Sequence, residues 1–148
     1  MKKQMITMMA AMFLATLTVT AVHAQNAGQM AVNIPFDFSI SGKILPAGEY
    51  YVRRKIEGPR VALQISARNK TQSVYLPQTH LLQSTDIQSV SKLLFNRYGD
   101  QFFLSEVWFA GRSVGEQLTK TSRERLLRRD IAKRMEKSES IAIAGRVK

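Results

Sequence analysis

The densest run of chemistry-bearing side chains is cationic. Arg123, Arg125, Arg128, Arg129, Lys133, Arg134 and Lys137 surround Leu127, Ile131 and Met135, which recur every four residues. That spacing predicts a helix from Ser122 to Lys137 with a narrow apolar stripe. Thr121, with Glu124 three residues on, supplies a capping box at its start. Cations on such a helix suit an anionic lipid surface or a polyanion, which they would meet by Coulomb attraction. The candidate contacts are Arg125, Arg128, Arg129 and Lys133. The plainer account is a solvated helix docked by its stripe, with Asp130 and Arg134 paired one turn apart.

Carboxylates are the next group that could do chemistry, since two of them can run glycoside hydrolysis. Glu106 is the best single candidate. Strict alternation along its strand places it on one face with Phe102, Leu104 and Trp108, and apolar surroundings raise a carboxyl pKa. The competing expectation is an ion pair with Arg97 on the neighbouring hairpin arm, because buried charges are normally paired. Asp37 falls on the polar face of its strand and reads as solvated. Tyr50, Tyr51, Tyr75, Tyr98 and Trp108 could form a sugar-binding platform, although aromatic residues favour strands for packing alone.

Other chemistries lack their parts. The chain has no cysteine and two histidines, so thiol catalysis is excluded. His80 is the one histidine beyond the N-terminal leader described below, and no Gly-x-Ser-x-Gly elbow accompanies it. A zinc site needs about four Cys or His ligands, and no Asp-rich calcium loop is present. Gly111-Arg112-Ser113-Val114-Gly115 has the wrong spacing for a dinucleotide or triphosphate loop. No cofactor and no metal are therefore expected. Asn69-Lys70-Thr71 matches a glycosylation sequon, a pattern short enough to arise by chance.

The N-terminus has the three parts of a secretory signal. Lys2 and Lys3 form the positive region, Met8 to Ala15 opens the apolar stretch, and Val22-His23-Ala24 offers small residues for cleavage before Gln25. Thr16, Thr18 and Thr20 dilute the stretch, which argues against a retained span of about 20 apolar residues. The expectation is an exported protein, periplasmic or secreted, with residues 1–24 removed. Whole-chain charge is +11, from 22 basic and 11 acidic residues. Losing Lys2 and Lys3 leaves +9, which favours an anionic envelope polymer, lipid or acidic protein as partner. Nucleic acid is not expected for an exported chain with no recognition motif.

These side chains need a scaffold, and the pattern between them is β. Val32, Ile34, Phe36, Phe38 and Ile40 alternate with polar residues, which predicts one long strand, at a sheet edge because of Pro35. Leu45-Pro46-Ala47-Gly48 is a turn feeding a strand from Glu49 to Ile56. Arg60 to Ala67 and Ser73 to Pro77 continue the pattern, and His80 to Ser91 reads as a polar connection. Gly99-Asp100 is a two-residue hairpin loop between Lys92–Tyr98 and Gln101–Ala110. The second arm is apolar on both faces and should be central in its sheet. Ile141 and Ile143 leave the tail free to add a strand or fray.

The run Ile34-Pro35-Phe36-Asp37-Phe38-Ser39-Ile40, then Gly42-Lys43 and Leu45-Pro46-Ala47-Gly48-Glu49-Tyr50, resembles the opening of an uncharacterised family of small exported β-domain proteins from soil bacteria. The similarity covers Val32 to Val52. It implies a β-rich exported domain and transfers no catalytic residue. The expected architecture is mainly β, an antiparallel sandwich or partly closed barrel of six or seven strands with one C-terminal amphipathic basic helix. The expected divisions are 25–120 for the β-domain and 121–148 for helix and tail.

Overall fold

The computed structural model describes residues 28–77, 79–134 and 137–147. The leader expected at residues 1–24 and Met135 of the helical stripe lie outside the described residues. Among the described residues strands dominate, in a curled sheet that forms half of a barrel, with a single C-terminal helix.

Eleven strands are present among the described residues rather than six or seven, because short turns cut the alternating runs more often than composition implies. The first run is two strands, β1 (Gln29–Ile34) and β2 (Phe38–Ile40). Pro35, which has no N–H to donate, follows the last residue of β1. β1 is not an edge strand at its start, where Met30 and Ala31 lie between β4 (Gly48–Glu57) and β11 (Glu139–Val147). From Val32 to Ile34 it pairs with β4 alone among the described residues. Beyond the break, β2 runs parallel to β9 (Gln101–Trp108) and antiparallel to β3 (Lys43–Leu45).

The Leu-Pro-Ala-Gly turn between β3 and β4 is held from two sides. The Ala47 N–H donates to Asp37 Oδ1 at 2.9 Å, and the Tyr50 hydroxyl donates to the Pro46 carbonyl at 2.7 Å. Asp37 is thus a brace for the turn and not merely a solvated charge. Burial, then the Asp37 charge, push the Tyr50 hydroxyl above its ordinary pKa, so it stays a donor at physiological pH.

β4 continues through a tight loop into β5 (Arg60–Ala67), which pairs with β6 (Ser73–Leu76). The expected polar connection contains β7 (His80–Gln83), which pairs with β10 (Val114–Gln117). β8 (Ser91–Tyr98) and β9 form the expected hairpin, with Gly99 at φ 61° where the tight turn requires it. The path across the sheet is β3-β2-β9-β8-β11-β1-β4-β5-β6, with β10 and then β7 added along the far half of β9. β9 is central, as its two apolar faces imply. β11 sits inside this path, so Glu139–Val147 shares the sheet of the strands that precede residue 121.

One face of the curl is the core. Met30, Val32, Ile34, Phe38, Tyr50, Val52, Leu63, Ile65, Leu93, Phe95, Leu104 and Val107 pack into one buried cluster. Phe36 stacks on Phe102 at 3.9 Å between centroids, and Phe95 meets Phe36 and Phe38 edge-on. On the outer face of β8 and β9, Tyr98 and Phe103 form a second apolar patch, and there the helix α1 (Ser122–Lys133) docks. No helix among the described residues is long and apolar enough to cross a membrane.

Candidate functional site

Helix α1 begins where the capping pattern places it. The Thr121 hydroxyl accepts from the Glu124 N–H at 3.2 Å, leaving Glu124's side chain to turn inward. There its Oε1 accepts from Asn96 Nδ2 at 3.0 Å and from the Tyr98 hydroxyl at 3.5 Å. The reciprocal half of the capping box is thus traded for a buried tie to β8. The helix stops at Lys133, one turn short of the expected Lys137, with Arg134 as its C-cap.

The docked stripe is thin. Glu124 is buried, while Leu127 and Ile131 are only half-buried. A fully buried leucine contributes about 1.5–3 kcal/mol, so the two together amount to roughly one core side chain. Arg125, Arg128, Arg129 and Lys133 are all exposed. None of the four reaches an ion-pair partner among the described residues. Nor do Asp130 and Arg134 make the expected pair; only the Arg134 N–H meets the Asp130 carbonyl.

The four cations do not share one face. At 3.6 residues per turn, Arg125, Arg129 and Lys133 project away from the docked stripe, with the exposed Leu126 among them. Arg128 flanks the stripe instead. Its charge acts on Tyr98, whose hydroxyl is pushed above its ordinary pKa by burial and then by Glu124, with Arg128 opposing.

Glu106 is not where alternation puts it. Leu94 pairs with Glu106 and Phe95 with Leu104, which leaves Ser105 as an extra residue in a β-bulge. The Ser105 hydroxyl donates to the Leu94 carbonyl at 3.0 Å, and its own carbonyl accepts the Leu118 N–H. One extra residue reverses every side chain beyond it. Phe102 and Leu104 face the core, whereas Glu106 and Trp108 lie on the outer face. There Glu106 Oε2 accepts from Trp108 Nε1 at 2.8 Å. The expected pair with Arg97 is absent: Arg97 lies over Phe102, donates to the Gly99 carbonyl and meets Glu139 at 3.4 Å.

The most deeply buried carboxylate among the described residues is Glu116, which the sequence does not advertise. It is fully enclosed and accepts from Arg54 Nε at 2.6 Å, so the pair joins β10 to β4 across the inside of the curl. Its second oxygen and Arg112 Nε are buried without a hydrogen-bond partner among the described residues. Desolvation raises the Glu116 pKa above the ordinary carboxylate value, and Arg54, then Arg112, oppose this. Arg54 had one legible signal: it shares alternation with Tyr50 and Val52, both buried. Glu116 had none, since a four-residue strand carries too little pattern.

The remaining candidates are dispersed. Tyr50 is in the core, Tyr98 under the helix and Trp108 against β10, while Tyr75 is exposed on β6, so they do not form one platform. His80 begins β7, with Nε2 3.3 Å from Thr119 Oγ1. Asn69 caps its own turn, its Oδ1 accepting from the Thr71 N–H and hydroxyl. That turn and the Pro46–Tyr50 segment line an open cleft of about 490 Å³, edged by the exposed Arg68–Glu49 pair. A second cleft of about 310 Å³ lies between the start of β5 and the start of β7. Glu106 lines neither. No family model matches the chain, and no match is found among curated proteins or solved structures.

Proposed function

We propose that this chain is an exported, non-catalytic β-domain that attaches to an anionic lipid surface or envelope polymer through helix α1. The observation that carries this reading is the set of exposed cations Arg125, Arg128, Arg129 and Lys133, without described ion-pair partners, on a helix held to the sheet by a thin stripe. Arg125, Arg129 and Lys133 form the outward contact and Arg128 its flank. A hydrolase built on Glu106 is less well supported, because Trp108 already occupies its carboxylate.

Attraction of this kind is screened over roughly 8 Å at physiological salt and about 30 Å at 0.01 M. Binding to vesicles rich in an anionic phospholipid should therefore be strong at low salt and fall steeply as salt rises. Reversing Arg125, Arg128 and Arg129 to Glu should abolish it with the melting curve retained, since all three are exposed. Ile131→Ala should loosen the docked side and lower stability by about 1–2 kcal/mol, less than for a fully buried site. Absence of binding to vesicles and to anionic polymer, even at low salt, would sink the reading. Export is checked separately by intact mass: the mature protein should begin at Gln25.

A further inference from the structure

We propose that the seam between β5 and β7 is a second binding site, which takes a short extended stretch of acidic polypeptide by strand addition. β6 pairs with β5 only from Leu63 to Ser66, so Arg60, Val61 and Ala62 have no ladder partner on that side among the described residues. Among the described residues β7 pairs with β10 alone, and its other edge is also open. The two unpaired edges bound the 310 Å³ cleft, lined by Arg60, Val61, Thr79, His80 and Leu81 with a proline at the end of each wall. Unpaired strand edges are templates for a further strand, whose main chain supplies affinity while alternate side chains supply specificity.

Two observations indicate what fills it. Thr79 Oγ1 is buried there without a hydrogen-bond partner among the described residues. A hydroxyl removed from water and left unmatched is unfavourable, and a peptide group in the cleft would satisfy it. The charged and titratable lining is basic, from the exposed Arg60 and from His80. Glu57, the closing partner of Arg60 in the β4–β5 turn, is engaged by the Tyr75 hydroxyl, which that hydrogen bond holds above its ordinary pKa. Exposed Leu81 adds an apolar contact. The fitting ligand therefore alternates acidic and apolar side chains along an extended backbone.

The test uses the full chain and end-blocked peptides of about eight residues, an ordinary strand length. A Glu-Val alternating peptide should bind, with NMR shift changes centred on Val61 and Leu81. A Lys-Val peptide, and a Glu-Val peptide N-methylated at alternate residues, should bind at least tenfold more weakly. Arg60→Glu, a change at an exposed site, should weaken the first peptide about tenfold, or about 1.4 kcal/mol. Vesicle binding by the same variant should be unchanged, which separates this proposal from that for α1. No binding, equal binding of the N-methylated peptide, or binding lost on reversal of Arg125, Arg128 and Arg129 but not of Arg60 would each overturn it.

Discussion

Arg54→Met should destabilise the domain by about 3–5 kcal/mol at neutral pH, because it strips the partner from a carboxylate with no access to water. Glu116 is fully buried, and Arg54 Nε at 2.6 Å is its hydrogen-bonded cation. The double variant Arg54→Met/Glu116→Leu should recover most of the loss, since apolar side chains of similar volume often replace a buried pair at little cost. Urea melts of the two single variants and the double variant form the cycle. A loss below about 1 kcal/mol in Arg54→Met would mean that water or another cation already serves Glu116.

The pH dependence of this pair has a definite sign. Burial raises the folded-state pKa of Glu116 above 4.5, and Arg54 and Arg112 compensate only in part. A carboxyl that holds its proton more tightly when folded makes its ionised form a destabilising contribution at neutral pH. That contribution is relieved as pH falls through the folded pKa, and it stops changing below the unfolded value. Removing Arg54 moves the folded pKa further up, so relief begins at higher pH. Acidification from about pH 8 to about pH 5 should restore part of the stability of Arg54→Met. Glu116→Gln should flatten the dependence.

Which features were legible follows from the range of the forces that set them. The β8–β9 hairpin is written locally in Gly99-Asp100, and α1 in Thr121, Glu124 and a four-residue repeat, so both could be read. The tail strand was half legible, because Ile141 and Ile143 alternate but only β1 and β8 decide that the segment is paired. Pro35 signalled a lost hydrogen bond, which fits an edge or a break equally; β1 ends there, and β11 lies beside only Met30 and Ala31 of it. The bulge at Ser105 has no sequence mark, since it depends on how Leu94 and Phe95 meet the opposite arm. That one residue moved Glu106 to the outer face and removed its expected pairing with Arg97. The cations of α1 were legible as a cluster, while their arrangement about the helix axis follows from the docked stripe, which has Arg128 on its flank.

Trp108→Ala should likewise lose about 3–5 kcal/mol, the usual range for deleting a large buried aromatic. Trp108 is 8% exposed, lies flat on Gly115 of the neighbouring strand and is pinned at Nε1 by Glu106. A Cβ built on Gly115 would fall 2.5 Å from Trp108 Cδ2, with two more ring atoms at 2.7 Å. Three atoms of one rigid ring cannot all be relieved by a rotamer change, so Gly115→Ala should displace the indole and also destabilise the fold. The two changes should not add. Once the ring is gone, the new methyl has room, and Gly115→Ala should cost little in the Trp108→Ala background, a coupling within the usual 0.5–3 kcal/mol for residues in contact. Ser39→Ala, on the polar face of β2, is the control and should change stability by less than about 0.5 kcal/mol. Thermal or urea melts of these variants decide the matter. Strict additivity of Trp108→Ala and Gly115→Ala would show that the indole does not rest on Gly115, and the placement of β10 beside β9 would fail with it.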